Sequence, residues 1–193
     1  MGTKLLLKKA GGDILSFGDS VTVGANDPNG GYVVYLRAIM NAEAGGVWTA
    51  TNKSEGSNTI VKEAGKIDGR LVGTITPRFV TLLFGQNDQW YSYTESAWKT
   101  AYRYILDAIH TKHPTTPIYL GLGSYSMNAM DTFWQYMLDL VAERPAYCFM
   151  GISQPVLFEG HILEYMCGES SHPCTPGHLA LARAWADMLI AAL

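Results

Sequence analysis

Residues 13–24 read DILSFGDSVTVG. Ile14, Leu15 and Phe17 form a short apolar run that Gly18 ends, followed by Asp19, Ser20 and a second glycine, Gly24. Such a run reads as a buried strand handing its last residues to a turn. Open α/β sheets place their ligands beyond the carboxyl ends of strands. Ser20 therefore stands where a nucleophile would be held. A serine after a strand serves equally well as a turn residue or a helix N-cap, so its role is decided by the rest of the chain.

Outward from that stretch, strand and helix patterns alternate. A helix is predicted over residues 31–44, with Val33, Leu36, Ile39 and Met40 on one face and Gly45-Gly46 ending it. Residues 47–52 read as a second strand. A helix weakened by Gly65, Gly69 and Gly73 is expected over 58–74, and residues 78–84 form an apolar third strand. Ser92 and Glu95 have the spacing of a capping box, opening a helix to about His110 with Ala97, Ala101, Tyr104, Ile105 and Ala108 inward. Strands follow at 117–122 and 146–152, separated by a helix that Asp131 caps and that runs to about Glu143. Thr175-Pro176 reads as an N-cap with proline at the first helical position, and that last helix turns Leu181, Ala182, Trp185, Met188, Leu189 and Ala192 inward. Apolar strands alternating with amphipathic helices call for a parallel sheet covered on both faces. The expected fold is one three-layer α/β/α domain over residues 1–193 with a central parallel five-stranded sheet.

The 193 residues suit one domain with a sizeable core. With 48% hydrophobic and 16% charged residues, the chain is a folded protein rather than a disordered one. A net charge of -3, and no basic cluster beyond Lys8 and Lys9, gives no nucleic-acid footprint. No apolar stretch is long enough to span a bilayer, so no membrane partner is expected. The start, MGTKLLLKK, is too short for a signal-peptide core, which fits a cytoplasmic protein or one whose signal has been replaced. Oligomeric state is not readable from the sequence.

Three further places hold residues suited to chemistry. Gly56 follows the second strand, where a bare backbone can approach a ligand closely. Asn87, in GQND after the third strand, offers an amide donor on a rigid strand end. Near the C-terminus, ESSHP puts Glu169 three residues ahead of His172. Gly18-Asp19-Ser20, Gly56, Gly85-Gln86-Asn87-Asp88 and His172-Pro173 together resemble the four blocks of the SGNH, or GDSL-type, hydrolases. The blocks cover positions 18 to 173. GDS or GxND alone is weak; both in order after apolar strands, with HP before a final helix, are strong together.

The resemblance implies a flavodoxin-like SGNH hydrolase fold and a serine esterase. Ser20 would attack an ester carbonyl, and His172 would take its proton and return it to the leaving alcohol. The N–H groups of Ser20 and Gly56 and the side-chain amide of Asn87 would hold the oxyanion, each donor worth about 3 to 4 kcal/mol of barrier. The family has aspartate where this chain has Glu169. A carboxylate there can still orient the imidazole, but its extra methylene changes the reach, and a backbone carbonyl or Ser170 is the alternative.

The remaining residues have plainer readings. Asp19 is expected to hold its turn through backbone amides, and Asp88 to form a turn. Ser124, in GLGSYS, lacks the second glycine of a nucleophile elbow. His110 and His113 read as a solvated helix end, His178 as a surface or packing residue, and His161 has no assigned place. Cys148 reads as a buried small hydrophobe, whereas Cys167 and Cys174 bracket GESSHP and are either free or bridged. Cys167, Glu169, His172 and Cys174 are types that suit zinc, but their spacing matches no common zinc pattern, so no metal or other cofactor is expected. Trp90 and Tyr91, with Tyr93, follow GQND and either stack on a sugar, wall an acyl pocket or pack the next helix. With no long apolar lid between Cys148 and Thr175, the expected substrate is a small ester, acetyl to butyryl, or an acylated carbohydrate. The rival readings are a thioesterase or lysophospholipase on the same site, and a decayed hydrolase that binds carbohydrate.

Overall fold

The apolar runs become five strands: β1 (Gly12–Gly18), β2 (Trp48–Asn52), β3 (Phe79–Gly85), β4 (Ile118–Gly123) and β5 (Cys148–Ser153). They pair in the order β2-β1-β3-β4-β5, every pair parallel. This computed structural model describes residues 11–123, 127–168 and 171–193. Glu169, Ser170, Ser124 and the lysine-flanked start therefore lie outside the described residues. The helices in chain order are α1 (Ser20–Val23), α2 (Tyr32–Glu43), α3 (Ile60–Ala64), α4 (Ile67–Leu71), α5 (Gln86–Tyr91), α6 (Glu95–Lys112), α7 (Met127–Glu143), α8 (Gln154–Phe158), α9 (Ile162–Met166) and α10 (Thr175–Ala191).

Alternation along the strands divides the core in two, because successive side chains point to opposite faces. Leu15, Phe17, Val80, Leu82, Phe84, Ile118, Leu120 and Leu122 pack on one face with Ile60, Trp98, Ile105 and Met137 from α3, α6 and α7. Ile14, Phe79, Leu83 and Ile152 pack on the other with Leu36, Met40, Leu181 and Trp185 from α2 and α10. Each fully buried Leu or Ile stabilises the fold by about 1.5–3 kcal/mol. Ser16 and Thr81 are paired across β1 and β3, and their hydroxyls hydrogen-bond each other at 2.9 Å inside the sheet. The five-stranded, three-layer architecture is the one the alternating patterns predict. Among the described residues, no helix is long and apolar enough to cross a membrane.

Several local expectations are corrected. The helix predicted over 58–74 is two short helices, with Gly65 capping α3 and Lys66 opening α4. Three glycines, each costing a helix interior about 1 kcal/mol, leave too little to hold one long rod. Ser92 is no N-cap: at φ 48 it closes α5, and Thr94 caps α6 by accepting from Ala97 N at 3.2 Å. The buried face of α6 is also rotated from the one expected. Trp98, Tyr102 and Leu106 turn inward while Ala97 and Tyr104 are exposed, since large side chains at i, i+4 and i+8 bury more area than alanines. The helix expected from Asp131 begins at Met127, and α8 and α9 fill what reads as loop. Cys174, not Thr175, is the N-cap of α10. His113 is buried against Thr74 at 3.0 Å, and His110 is half-buried and stacks on Tyr147 at 3.8 Å, so the pair is not a solvated helix end.

Candidate active site

All five strands run the same way, so the turns after β1, β2 and β3 meet at one sheet edge. The turn after β1 is fixed by its glycines. A Cβ on Gly18 would lie 2.0 Å from Thr22 Oγ1 and 2.7 Å from Leu83 O, so no larger residue lets β1 pass this close. Asp19 then N-caps α1, its Oδ1 accepting from Val21 N at 2.9 Å, the turn-holding role expected of it. Ser20 is the first residue of α1, and Gly24, left-handed at φ 97, ends it with its N–H on the carbonyls of Ser20 and Val21. Burial pushes the Asp19 carboxyl up to about 7, against the Val21 bond and with help from the Asp88 charge.

The C-terminal segment brings His172 to this turn. His172 Nε2 lies 2.8 Å from Ser20 Oγ, and Nδ1 lies 3.0 Å from Ser171 Oγ. With Ser20 donating to Nε2, the ring proton is on Nδ1 and faces Ser171. The backbone here is held from several sides. Gln86 Nε2 donates to Ser171 O, Cys174 N donates to Tyr165 O at 2.9 Å, and Cys167 and Cys174 are joined by a disulfide. Thr175 Oγ1 donates to Asp27 Oδ1 at 2.7 Å, tying the start of α10 to the loop after α1. Burial pulls the Asp27 carboxyl up, but hydrogen bonds from Thr175, Gly31 and Tyr35 outweigh it and hold it below the usual range. His178 is the packing residue of its two expected roles. Fully buried, it accepts from Tyr32 N at 3.3 Å through Nδ1 and meets Ala25 O at 3.1 Å through Nε2, and burial lowers its proton affinity.

The loop after β2 approaches from the other side. Lys53 N donates to Ser16 O at 2.8 Å and Glu55 N to Gly18 O at 3.2 Å, continuing the β1–β2 pairing past the strand. Gly56 follows immediately, exposed, with nothing within 4 Å of where a Cβ would be. Asn87, at the second position of α5, donates from Nδ2 to Asn58 O at 2.9 Å. Asp88 is not a turn former. It sits buried in the first turn of α5 and accepts from Ile60 N at 3.0 Å, and burial raises it to about 6. Three consecutive residues, Gln86, Asn87 and Asp88, thus reach the His172 segment, the Gly56 loop and α3 in turn. Trp90 is 72% exposed three residues after Asn87, on the same face of α5. Tyr91 is exposed too, stacked on Tyr93 at 5.7 Å and accepting from Lys62 Nζ at 2.9 Å.

Of the residues singled out in the sequence, Ser20 and His172 are in direct contact, while Gly56, on the loop after β2, and Asn87, in the first turn of α5, reach the same edge. Glu169 lies outside the described residues. Gln86 enters the sequence reading only as part of the GQND block, with no role of its own, and Ser171 is not singled out there. Their only signal is adjacency to Asn87 and His172, since the bond between them joins positions 85 residues apart. Among the described residues, no group of three or more His, Cys, Asp or Glu is placed to hold a metal ion.

A parallel three-layer sheet with a serine hydroxyl on a histidine at its carboxyl edge is the frame of a serine-type hydrolase. The chain belongs to the GDSL-like lipase/acylhydrolase family, whose family model matches residues 16–147. That membership places it among the ester hydrolases and agrees with the SGNH resemblance of its sequence blocks. No curated protein matches it by sequence. Among solved structures, a family 3 carbohydrate esterase of Clostridium thermocellum superposes with a TM-score of 0.75 at 16% identity, covering 94% of this chain and 98% of the other. TesA does so with a TM-score of 0.76 at 17% identity, covering 94% and 99%. The acetylxylan esterase Axe2 of Geobacillus stearothermophilus, as a catalytic mutant, gives 0.71 at 20% identity, covering 92% and 94%. At these identities the likeness speaks for the fold.

Proposed function

We propose that the protein is a serine esterase that removes short acyl groups, acetyl to butyryl, and that its natural substrates are acylated carbohydrates. The observation carrying this reading is the 2.8 Å contact between Ser20 Oγ and His172 Nε2. As Oγ attacks the ester carbonyl, its proton passes to Nε2 and an Oγ–C bond forms. The resulting oxyanion accepts from the backbone N–H groups of Ser20 and Gly56 and from the Asn87 amide hydrogen not spent on Asn58. Collapse breaks the bond to the leaving oxygen, which takes the Nε2 proton. Water then enters, gives a proton to Nε2 and attacks the acyl carbon; collapse breaks the Oγ–C bond, the Nε2 proton returns to Ser20 Oγ, and the acid leaves. Glu169 is assigned the carboxylate role that balances the imidazolium, and Ser171 Oγ meets Nδ1 at 3.0 Å.

The short acyl range is supported by the segment between β5 and α10, whose described helices, α8 and α9, are five residues each. The carbohydrate reading is supported by exposed Trp90 and Tyr91 beside Asn87, and by the carbohydrate esterases among similar structures. The test is hydrolysis of p-nitrophenyl acetate, butyrate and octanoate, with acetate release from acetylated xylan, by wild type and Ser20→Ala. Loss of turnover in the variant, with acetate preferred and xylan deacetylated, is expected. Faster turnover of acyl-CoA or lysolipid than of any acetyl ester would replace this reading with the thioesterase or lysophospholipase one. Equal, slow hydrolysis by both proteins would leave carbohydrate binding without catalysis.

A further inference from the structure

Glu63 is an acidic side chain with no exposure, inside a helix of five residues. A buried carboxylate is costly unless partnered, so its partners carry information. Oε2 accepts from Asn58 Nδ2 at 2.6 Å, and Oε1 lies 3.3 Å from Arg70 Nε. Arg70, on α4, turns the rest of its guanidinium toward the loop after β2. Nη1 donates to Lys53 O, and Nη2 pairs with Glu55 Oε2 at 2.5 Å. Glu55 is braced again by Lys66 at 2.8 Å.

These contacts bracket Gly56 along the chain. Lys53 and Glu55 precede it and are held by the guanidinium directly, while Asn58 follows it and is held through Glu63. Asn58 also carries the grip onward, since its carbonyl is what orients Asn87 at 2.9 Å. Stability does not call for this arrangement, because apolar residues of similar size commonly replace buried ion pairs at no loss. A planar fork does something apolar packing does not: it fixes several directions at once.

We propose that Arg70 is a positioning residue for the oxyanion site, setting the Gly56 N–H and the Asn87 amide in register through Lys53, Glu55 and the Glu63–Asn58 pair. This rests on the reading of Gly56 and Asn87 as oxyanion donors. The experiment is a kinetic cycle on p-nitrophenyl acetate with Arg70→Gln, Asn87→Ala, the double variant, Arg70→Lys and Glu55→Gln, each with a thermal melt. Arg70→Gln lowers kcat by ~10- to 100-fold with KM within ~2-fold, since a misplaced group costs the transition state more than ground-state binding. Arg70→Lys recovers part of that loss. In the double variant the two factors fall short of their product, because Arg70 then has only the Gly56 N–H left to position. Glu55→Gln, at a half-exposed residue, loses ~2- to 5-fold without unfolding, which keeps the idea open to refutation should Arg70→Gln fail to fold. A costly Asn87→Ala with kcat unchanged in Arg70→Gln and Glu55→Gln overturns this inference alone, as does full multiplicativity in the double variant. An inert Asn87→Ala overturns the oxyanion reading and takes the role of Arg70 with it.

Discussion

The two flanks of Ser20 are built from different chemistry. On the His172 flank the restraints are a disulfide and hydrogen bonds, from Gln86 to Ser171 and from Thr175 to Asp27. On the Gly56 flank they are charged, running Glu55–Arg70–Glu63 and ending in Asn58. In the proposed cycle the base flank holds a ring whose charge changes at every turnover, and a disulfide and a bond to a backbone carbonyl are indifferent to that change. In the same proposal the other flank presents donors whose charge never changes, and ion pairs serve there without being titrated by the reaction. The segment from Gln86 to Asp88 is where the two systems join.

Removing the base breaks the comparison most severely. His172→Ala is expected to lower kcat/KM for p-nitrophenyl acetate by on the order of 10⁴-fold or more, with a melt close to wild type. Asn87→Ala on the opposite flank is expected to cost about 10²- to 10³-fold in kcat, as for other side-chain oxyanion donors. A smaller loss than this would put the charged flank outside the chemistry.

Asp19 lies between the flanks and feels the charge of Asp88 from the other side. Its carboxyl sits at about 7 when folded against 3.8 when free, so the folded state binds the proton more tightly. Its contribution to stability is full below pH 3.8 and is lost as pH rises through about 7, a span worth about 4 kcal/mol by linkage. Asp19→Asn keeps an acceptor for Val21 and removes the titration. Its melting temperature relative to wild type is therefore expected to climb between pH 4 and pH 8, and a difference independent of pH would refute the buried ionisation.

The disulfide should give the smallest effect, confined to one flank. Cys167→Ser with Cys174→Ser closes no loop of seven residues' separation and should cost about 2 kcal/mol in denaturant unfolding. Turnover should fall several-fold as the His172 segment loosens, and a reductant should do the same to wild type while leaving both double-serine activity and the Asn87→Ala ratio unchanged. Two free thiols by non-reducing mass spectrometry would remove the staple from the comparison.

Much of this arrangement is legible without coordinates. Near-continuous apolar runs such as the one over Phe79–Phe84 call for a sheet buried on both faces, and the residues beyond its carboxyl ends, Ser20, Gly56 and Asn87, are marked by their turns. What escaped depends on distant partners. Nothing near His113 in sequence says that Thr74 receives it, or near His178 that Tyr32 does, so both look like ordinary exposed or packing positions. Helix α5 is too short to show a period, and Ser92, whose neighbours suggest a capping box, is instead its left-handed terminus. The pairing of Glu63 with Arg70 is seven residues apart on a stretch read as one weak helix, and only its division into α3 and α4 brings the guanidinium to the glycine loop.

The clasp of α10 on the loop after α1 also bears on how the protein comes to be active at all. Ser20 and His172 are separated by 152 positions, Asp27 and Thr175 by 148, and Tyr32 and His178 by 146. The two ends of the chain must find each other before any of these contacts exists, and closures of such length are the slow part of assembling a fold. A ribosome that has released everything up to α9 holds a sheet with all five strands and a Ser20 still without its His172 contact. Turnover should accordingly be the last property to return on refolding, which makes it a sensitive gauge of whether the final helix has seated.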